Sequence, residues 1–313
     1  MRIGVIGCGV MGQHHLNVYQ SMPGVQIVGI CDINEDLVKY LSKRYKSKPY
    51  TQYKDLLEKD LDAVDIVVPT TIHHDIAIDA LDAGFHVLVE KPIADTVELG
   101  EDIVKKARDK NRKLMVGHVE RFNPAVTRLK EIITEGLLGE IASISARRVG
   151  PYTPRTYDVG VILDLGTHDI DIISYLYEQR VKDVYAIAGA EIHSFEDHAS
   201  LMLRFNNGNA GVVETNWLTP HRVRKLSAVG LDGVASLDFI EQVVTIYDKE
   251  WAREAKVDKK EPLYNEIEHF VNVIKTSNNP LVSGEDSIHA LAVALAAIES
   301  YKTGRVVPVN GNF

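Results

Sequence analysis

The sequence predicts an α/β domain with a parallel sheet, followed by an α+β domain with a mainly antiparallel sheet. Two observations carry the first part. Short apolar runs alternate with amphipathic helical stretches up to about residue 118, and a glycine-rich turn joins the first run to the first helix. A change of period carries the second, because beyond about residue 140 apolar and polar residues alternate over longer stretches. At 313 residues and 45% apolar composition, the chain is long enough for two cores.

IGVIG (3–7), VQIVGIC (25–31), AVDIVV (63–68), HVLVE (86–90) and KLMVG (113–117) are the expected strands of the first domain. Between them, 10–21, 34–45, 73–83 and 95–110 place apolar residues at helical spacing, as with Ile76, Ala80 and Leu81. Strands apolar along their whole length are buried on both faces, and their alternation with helices gives βαβ units and a parallel sheet. A helix is expected over 124–136, opened by Pro124 at its first position. In LMLRF (201–205), Leu201, Leu203 and Phe205 share one face of a strand, while Met202 and Arg204 share the other. NNGN (206–209) signals a hairpin into GVVETNW, and runs at 223–229, 234–240 and 242–247 extend the sheet. Helices over 262–277 and 283–302 close the chain. The boundary falls near 118–124, giving domains of residues 1–120 and 121–313.

Composition excludes several classes of function. The net charge is −9 with both signs interspersed, which argues against a nucleic-acid surface. No apolar run approaches the ~18 to 20 residues of a membrane span. MRIGVIG runs directly into a strand, so no signal peptide is expected. The two cysteines, Cys8 and Cys31, lie inside apolar segments, and a reducing cytoplasm suits them better than a disulfide. Twelve histidines invite a metal hypothesis, yet His73-His74 and His14-His15 are adjacent and diverge by about 100° on a helix. No metal is expected.

Gly7-Cys8-Gly9-Val10-Met11-Gly12 matches G-x-G-x-x-G, with a strand before it, a helix after it, and Asp32 ending the next strand 20 residues beyond Gly12. Gly7 permits the tight turn, Gly9 the close approach of a pyrophosphate, and Gly12 close packing of helix on strand. The N–H groups that open the helix, at Val10 and Met11, receive the phosphate charge. Asp32 is suited to the adenosine ribose hydroxyls and would repel a 2′-phosphate, and no arginine follows it in DINED. A dinucleotide-binding Rossmann domain with NAD in preference to NADP is the expectation.

Glu90-Lys91-Pro92 stands at the carboxyl end of a parallel strand, where ligands of such sheets sit. Proline restrains Lys91, so its ammonium is either aimed into the crevice or paired with Glu90 as a strand-end lysine. In DVGVILDLGTHDIDIISYL (158–176), Asp164 and His168 are four apart and share a face if the segment is helical. They read either as a buried histidine satisfied by a carboxylate or as an acid–base pair. Arg121 and Asn123, just past the last Rossmann strand, either brace the domains or face nicotinamide and substrate.

These motifs resemble the glucose–fructose oxidoreductase and inositol dehydrogenase family (Gfo/Idh/MocA). The likeness runs through the glycine loop, Asp32, PTTIHH (69–74), AGFHVLVEKP (83–92), GHVERFNP (117–124) and GVILDLGTHDID (160–171). It implies an N-terminal Rossmann domain and a C-terminal domain whose open sheet packs on another subunit, giving a homodimer or homotetramer. It also implies that Pro69, Thr70, His73, Glu90, Lys91 and Arg121 lie by the cofactor. Lys91, Asn123, Arg155, Asp164 and His168 would then meet the substrate, a sugar or nucleotide sugar.

A lysine beside a hydroxyl stabilises developing alkoxide charge, and a neutral histidine accepts its proton. His168 is the expected base and Lys91 its electrostatic partner, with the reverse division of the two open, and Asp164 either orients His168 or binds a proton-relay water. GHVERFNPAV, and RTYDVGVILDLGTHDIDI with Arg155 and Asp158, look like the UDP-N-acetylglucosamine 3-dehydrogenase branch. Arg147, Arg148 and Arg155 suit a pyrophosphate. Oxidation of a free sugar or inositol is the runner-up, and a non-catalytic NAD-binding regulator the third reading.

Overall fold

The structure, a computed structural model, describes residues 1–152, 159–309 and 311. Among the described residues the chain forms two sheets. It divides into two compact units, Met1–Val119 with Glu261–Ile288, and Glu120–Lys260 with His289–Phe313.

The first unit is a doubly wound α/β layer structure. Strands β1 (Arg2–Ile6), β2 (Gln26–Cys31), β3 (Lys48–Tyr50), β4 (Ala63–Ile66), β5 (His86–Glu90) and β6 (Leu114–Gly117) are all parallel, in the order β3-β2-β1-β4-β5-β6. Helices α1 (Val10–Ser21), α2 (Glu35–Tyr45), α3 (Tyr53–Leu57), α4 (His73–Asp82) and α5 (Val97–Asp109) connect them. The apolar runs become central strands because each residue of β4 and β6 is buried, which only a sheet covered on both faces permits. Side-chain caps start two of the helices. Asn34 accepts the Leu37 N–H before α2, and Thr96 accepts the Leu99 N–H before α5. Chain direction along the sheet reverses between β1 and β4, which sets a ligand crevice at the carboxyl ends of those strands.

The second unit begins with α6 (Pro124–Thr134), where Asn123 caps the helix and Pro124 occupies the first turn. Strand β7 (Ile141–Pro151) leads to a π-helical turn at Ile162–Gly166 and then α7 (Thr167–Tyr177). The sheet is completed by β8 (Val181–Gly189), β9 (His198–Phe205), β10 (Ala210–Asn216), β11 (Leu218–Gly230), β12 (Val234–Asp238), β13 (Val243–Tyr247), β14 (Ala252–Ala255) and β15 (Val307–Pro308). Its order is β14-β13-β12-β11-β7-β10-β9-β8-β15, antiparallel except for the parallel β7–β10 pair. On β9 Ala199, Leu201, Leu203 and Phe205 point inward, as their alternation predicts. Helices α6 and α7 cover that inner face. On the other face Tyr185, Met202, Val212, Ser145 and Ser227 form one cross-strand row, with Met202 62% exposed.

Two further helices are α8 (Pro262–Thr276) and α9 (Gly284–Thr303). A single cut near residue 120 does not describe the units, because α8 belongs with the first. It buries Leu263, Ile267, Phe270 and Val271 and packs on α1. An amphipathic pattern states that a helix has a buried face, not which sheet receives it.

Candidate active site

The glycine loop is built as its residue types demand. Gly7 has φ +96°, and a β-carbon there would lie 2.3 Å from the Val67 carbonyl oxygen. A β-carbon on Gly12 would lie 2.0 Å from the Gly7 oxygen, so both positions admit glycine alone. At Gly9 the same atom meets nothing within 4 Å, which leaves the loop open where a phosphate approaches. Val10 and Met11 open α1, whose cap residue Gly9 supplies no side-chain acceptor. Asp32 follows β2 and draws the loop together: Oδ2 accepts the Cys8 N–H at 2.7 Å and Oδ1 accepts the Asn34 N–H at 2.9 Å. A carboxylate has about four acceptor positions, so ribose hydroxyls still find two. The loop, the helix start and Asp32 therefore fit an adenine dinucleotide. Cys8 is inert within it, because burial and the charge of Asp32 push its thiol far up.

Pro69 and Thr70 lie after β4, where Thr70–Ile72 forms one 3₁₀ turn ahead of α4. His73 is buried, with Nδ1 2.9 Å from the Pro92 oxygen and Nε2 2.9 Å from the Val68 oxygen. Burial lowers its affinity for a proton, and a neutral ring carries one N–H, so His73 sits between the two loops and donates to one of these carbonyls. The Lys91–Pro92 peptide, just before the Pro92 carbonyl, is cis. Lys91 is half-buried at the end of β5, and its N–H donates to Glu90 Oε2 at 3.1 Å.

Glu90 has a partner that sequence reading missed. His15 on α1 is fully buried, with Nδ1 2.7 Å from Asp65 Oδ2 and Nε2 3.2 Å from Glu90 Oε1. His14, its neighbour in sequence, is exposed, since adjacent helical residues point about 100° apart. The available signal was Asp65, a carboxylate in the middle of the apolar run AVDIVV.

In the second unit, Asp164 lies within the π-helical turn and His168 one residue into α7, about one turn apart and both half-buried. The Thr167 N–H reaches back to the Ile162 oxygen, the wider π spacing that recurs at functional sites. Glu196 anchors the turn by accepting the Ile162 N–H at 3.3 Å.

Three expectations need correction. Arg148 cannot hold a pyrophosphate: it is buried, forked on Asp169 at 2.9–3.1 Å and bonded to Glu120 at 2.7 Å. Its neighbour Arg147 faces outward and pairs with Glu214, because successive strand residues occupy opposite faces. Arg121 braces the second unit. Its guanidinium lies over Tyr175 and forks on Asp171 at 2.6 and 2.8 Å. Asn123 is likewise structural, accepting the Ala125 N–H and donating to Glu120 and the Phe239 oxygen. Arg155 and Asp158 lie outside the described residues. No group of metal-ligating side chains occurs among the described residues, and no helix there is long and apolar enough to cross a membrane.

Comparison with known proteins agrees with this geometry. Residues 1–118 match the oxidoreductase family with an NAD-binding Rossmann fold, and residues 126–236 match the GFO/IDH/MocA C-terminal domain. The UDP-N-acetylglucosamine 3-dehydrogenase of Acidithiobacillus ferrooxidans is 29% identical, over 96% of this chain and 98% of that one. Its solved structure superimposes with a TM-score of 0.90 at 28% identity, covering 97% and 98% of the two chains. The myo-inositol 2-dehydrogenase of Thermotoga maritima is 27% identical over 98% of each. A levoglucosan dehydrogenase solved with NADH and levoglucosan shares the fold, with a TM-score of 0.91 over 99% and 100% of the chains at 22% identity. With the glycine loop and Asp32 in place, and both domain models matched, the chain belongs to the GFO/IDH/MocA family of NAD-binding oxidoreductases.

Proposed function

We propose that this protein oxidises the 3-hydroxyl of UDP-N-acetylglucosamine with NAD⁺. The observation that carries the reading is its similarity, along nearly all of both chains, to the A. ferrooxidans enzyme with that activity. When bound, NAD⁺ supplies the hydride acceptor. Lys91 stabilises the negative charge that grows on the substrate oxygen as its proton leaves, and His168 accepts that proton. Asp164, one turn before His168, orients the imidazole. Arg155 is the basic residue left for the pyrophosphate once Arg148 is assigned to Asp169 and Glu120 and Arg147 to Glu214. The exposed row on the nine-stranded sheet supports assembly as a homo-oligomer through that face.

A second reading, oxidation of inositol or a free sugar, is favoured by the similarity to the T. maritima inositol enzyme. The two separate in a panel assay. Alcohol oxidation by NAD⁺ is uphill near neutral pH, so the ketone is removed with an aminotransferase and glutamate. UDP-N-acetylglucosamine should then be turned over far better than N-acetylglucosamine, glucose or myo-inositol. Each charge-assisted hydrogen bond to the pyrophosphate is worth about 1.5–3 kcal/mol, or roughly ten- to a hundredfold. Equal turnover of free sugars would show that the pyrophosphate contributes no useful binding energy, and the second reading would replace the first.

Cofactor choice tests Asp32 separately. The natural protein should bind NAD⁺ more tightly than NADP⁺, and Asp32→Ser should narrow that gap by about tenfold or more. Two like unit charges ~4 Å apart near a protein surface repel by up to ~4 kcal/mol. Fluorescence titration with NADH and NADPH measures this, and tighter NADPH binding by the natural protein would remove Asp32 from the role.

A further inference from the structure

Asp65 sits in a central strand, flanked in register by Val5 of β1 and Leu88 of β5, and is fully buried. A carboxylate there is costly unless a charge or hydrogen bonds meet it. His15 meets it and reaches onward to Glu90. Both ring nitrogens thus face carboxylates, and an ionised carboxylate only accepts, so the ring must donate from both. Burial opposes a charge on His15, but Asp65 and then Glu90 outweigh it and raise its proton affinity well above the ordinary value. Glu90 is held ionised in turn: burial pushes it up, and His15 and Lys91 bring it below the usual range.

Every element packed around this ring contributes. Tyr19 lies one turn further along α1, and Glu266 of α8 is fully buried with neither side-chain oxygen hydrogen-bonded. Burial and the charge of Glu90 push Glu266 well up, so it holds its proton and leaves one net negative charge among His15, Asp65 and Glu90. Gly117 of β6, paired with Glu90, leaves the carboxylate room, since a β-carbon there would lie 3.2–3.3 Å from it.

We infer that His15 is a positioning residue for Lys91: anchored on Asp65, its doubly protonated ring fixes Glu90, which fixes the Lys91 backbone at the end of β5. The inference rests on the reading that Lys91 acts at the substrate hydroxyl. Hydrogen bonds to an ionised partner are stronger than neutral ones, and a displacement of ~1 Å at a reacting group can cost ~10²-fold in rate.

The test uses the full chain with NAD⁺ and UDP-N-acetylglucosamine, the ketone removed as above. His15→Leu and His15→Gln are made in the natural and Lys91→Met backgrounds. His15→Leu should lower kcat by about 10- to 100-fold, with KM and NADH affinity unchanged within about twofold. His15→Gln, which keeps a donor to one carboxylate, should recover part of the loss and carries the test if His15→Leu does not fold. In the Lys91→Met background neither change should cost more, because the residue acts through Lys91. ¹⁵N NMR of the cofactor-free protein should show both His15 ring nitrogens protonated near neutral pH. Equal losses in both backgrounds, an unchanged kcat, or a singly protonated ring would overturn the proposal. If Lys91→Met alone turns over normally, the catalytic reading fails first and the proposal with it. An inactive Lys91→Met beside a normal His15→Leu sinks the proposal only.

Discussion

Replacing Lys91 by Met should lower turnover by about 10²- to 10⁴-fold while leaving NAD⁺ affinity close to that of the natural protein. The substitution keeps the apolar stem and removes the ammonium alone. The dinucleotide is held elsewhere, by the glycine loop and by Asp32, whose bond to the Cys8 N–H does not involve Lys91. The effect should therefore appear in kcat and not in a cofactor titration. His168→Ala should behave alike, with one difference that identifies a base. Its residual rate should climb with pH as hydroxide takes over proton removal, whereas that of Lys91→Met should gain nothing of the kind. Near-normal rates in both variants would return the two residues to structural bracing, and the regulatory reading of this chain would lead.

The largest effect on stability is expected at Arg148. Its guanidinium is buried over the Phe239 ring and joins Asp169 to Glu120, with Arg224 3.7 Å from Glu120 as a second cation. Arg148→Met preserves the volume and leaves two buried carboxylates facing each other. Removing one member of a buried ion pair costs about 3–5 kcal/mol, which at ~2–4 °C per kcal/mol lowers the melting temperature by roughly 6–20 °C. The loss should shrink as pH falls, because burial already raises the Asp169 carboxyl and, without the guanidinium, it takes up a proton more readily. A thermal melt at several pH values measures both. Arg147→Met, on the exposed face of the same strand, should fall within about 0–1 kcal/mol of the natural protein. Similar losses in the two variants would contradict the assignment of Arg148 to the core.

That pair of arginines shows where sequence reading succeeds and stops. Strands β1, β2, β4, β5 and β6 are legible because burial on both faces demands unbroken apolar runs, and β9 is legible because one covered face demands alternation. The same pleat separates Arg147 from Arg148, and reading them as one basic patch overlooks it. β3 is three residues at a sheet edge with Pro49 in its middle, too short and polar to give a pattern. The parallel β7–β10 pairing joins segments far apart in sequence and has no local signature. The glycine loop and Asp32 were readable because each residue type answers a local steric or electrostatic demand. Arg121 and Asn123 were not, since arginine and asparagine serve a ligand and a buried brace with the same atoms. His15 needed three dimensions: only the fold brings α1, β4 and β5 to one ring.

The central claim is hydride transfer from a nucleotide-linked sugar to NAD⁺, and isotope transfer measures it directly. UDP-N-acetylglucosamine carrying deuterium at C3 is mixed with excess protein and NAD⁺ in a single turnover, and the cofactor is analysed by mass spectrometry. The account predicts one deuterium in the reduced nicotinamide, no such transfer from sugar labelled at C4, and loss of the signal in Lys91→Met. Reduced cofactor labelled from C2 of myo-inositol, with none from the nucleotide sugar, would contradict it.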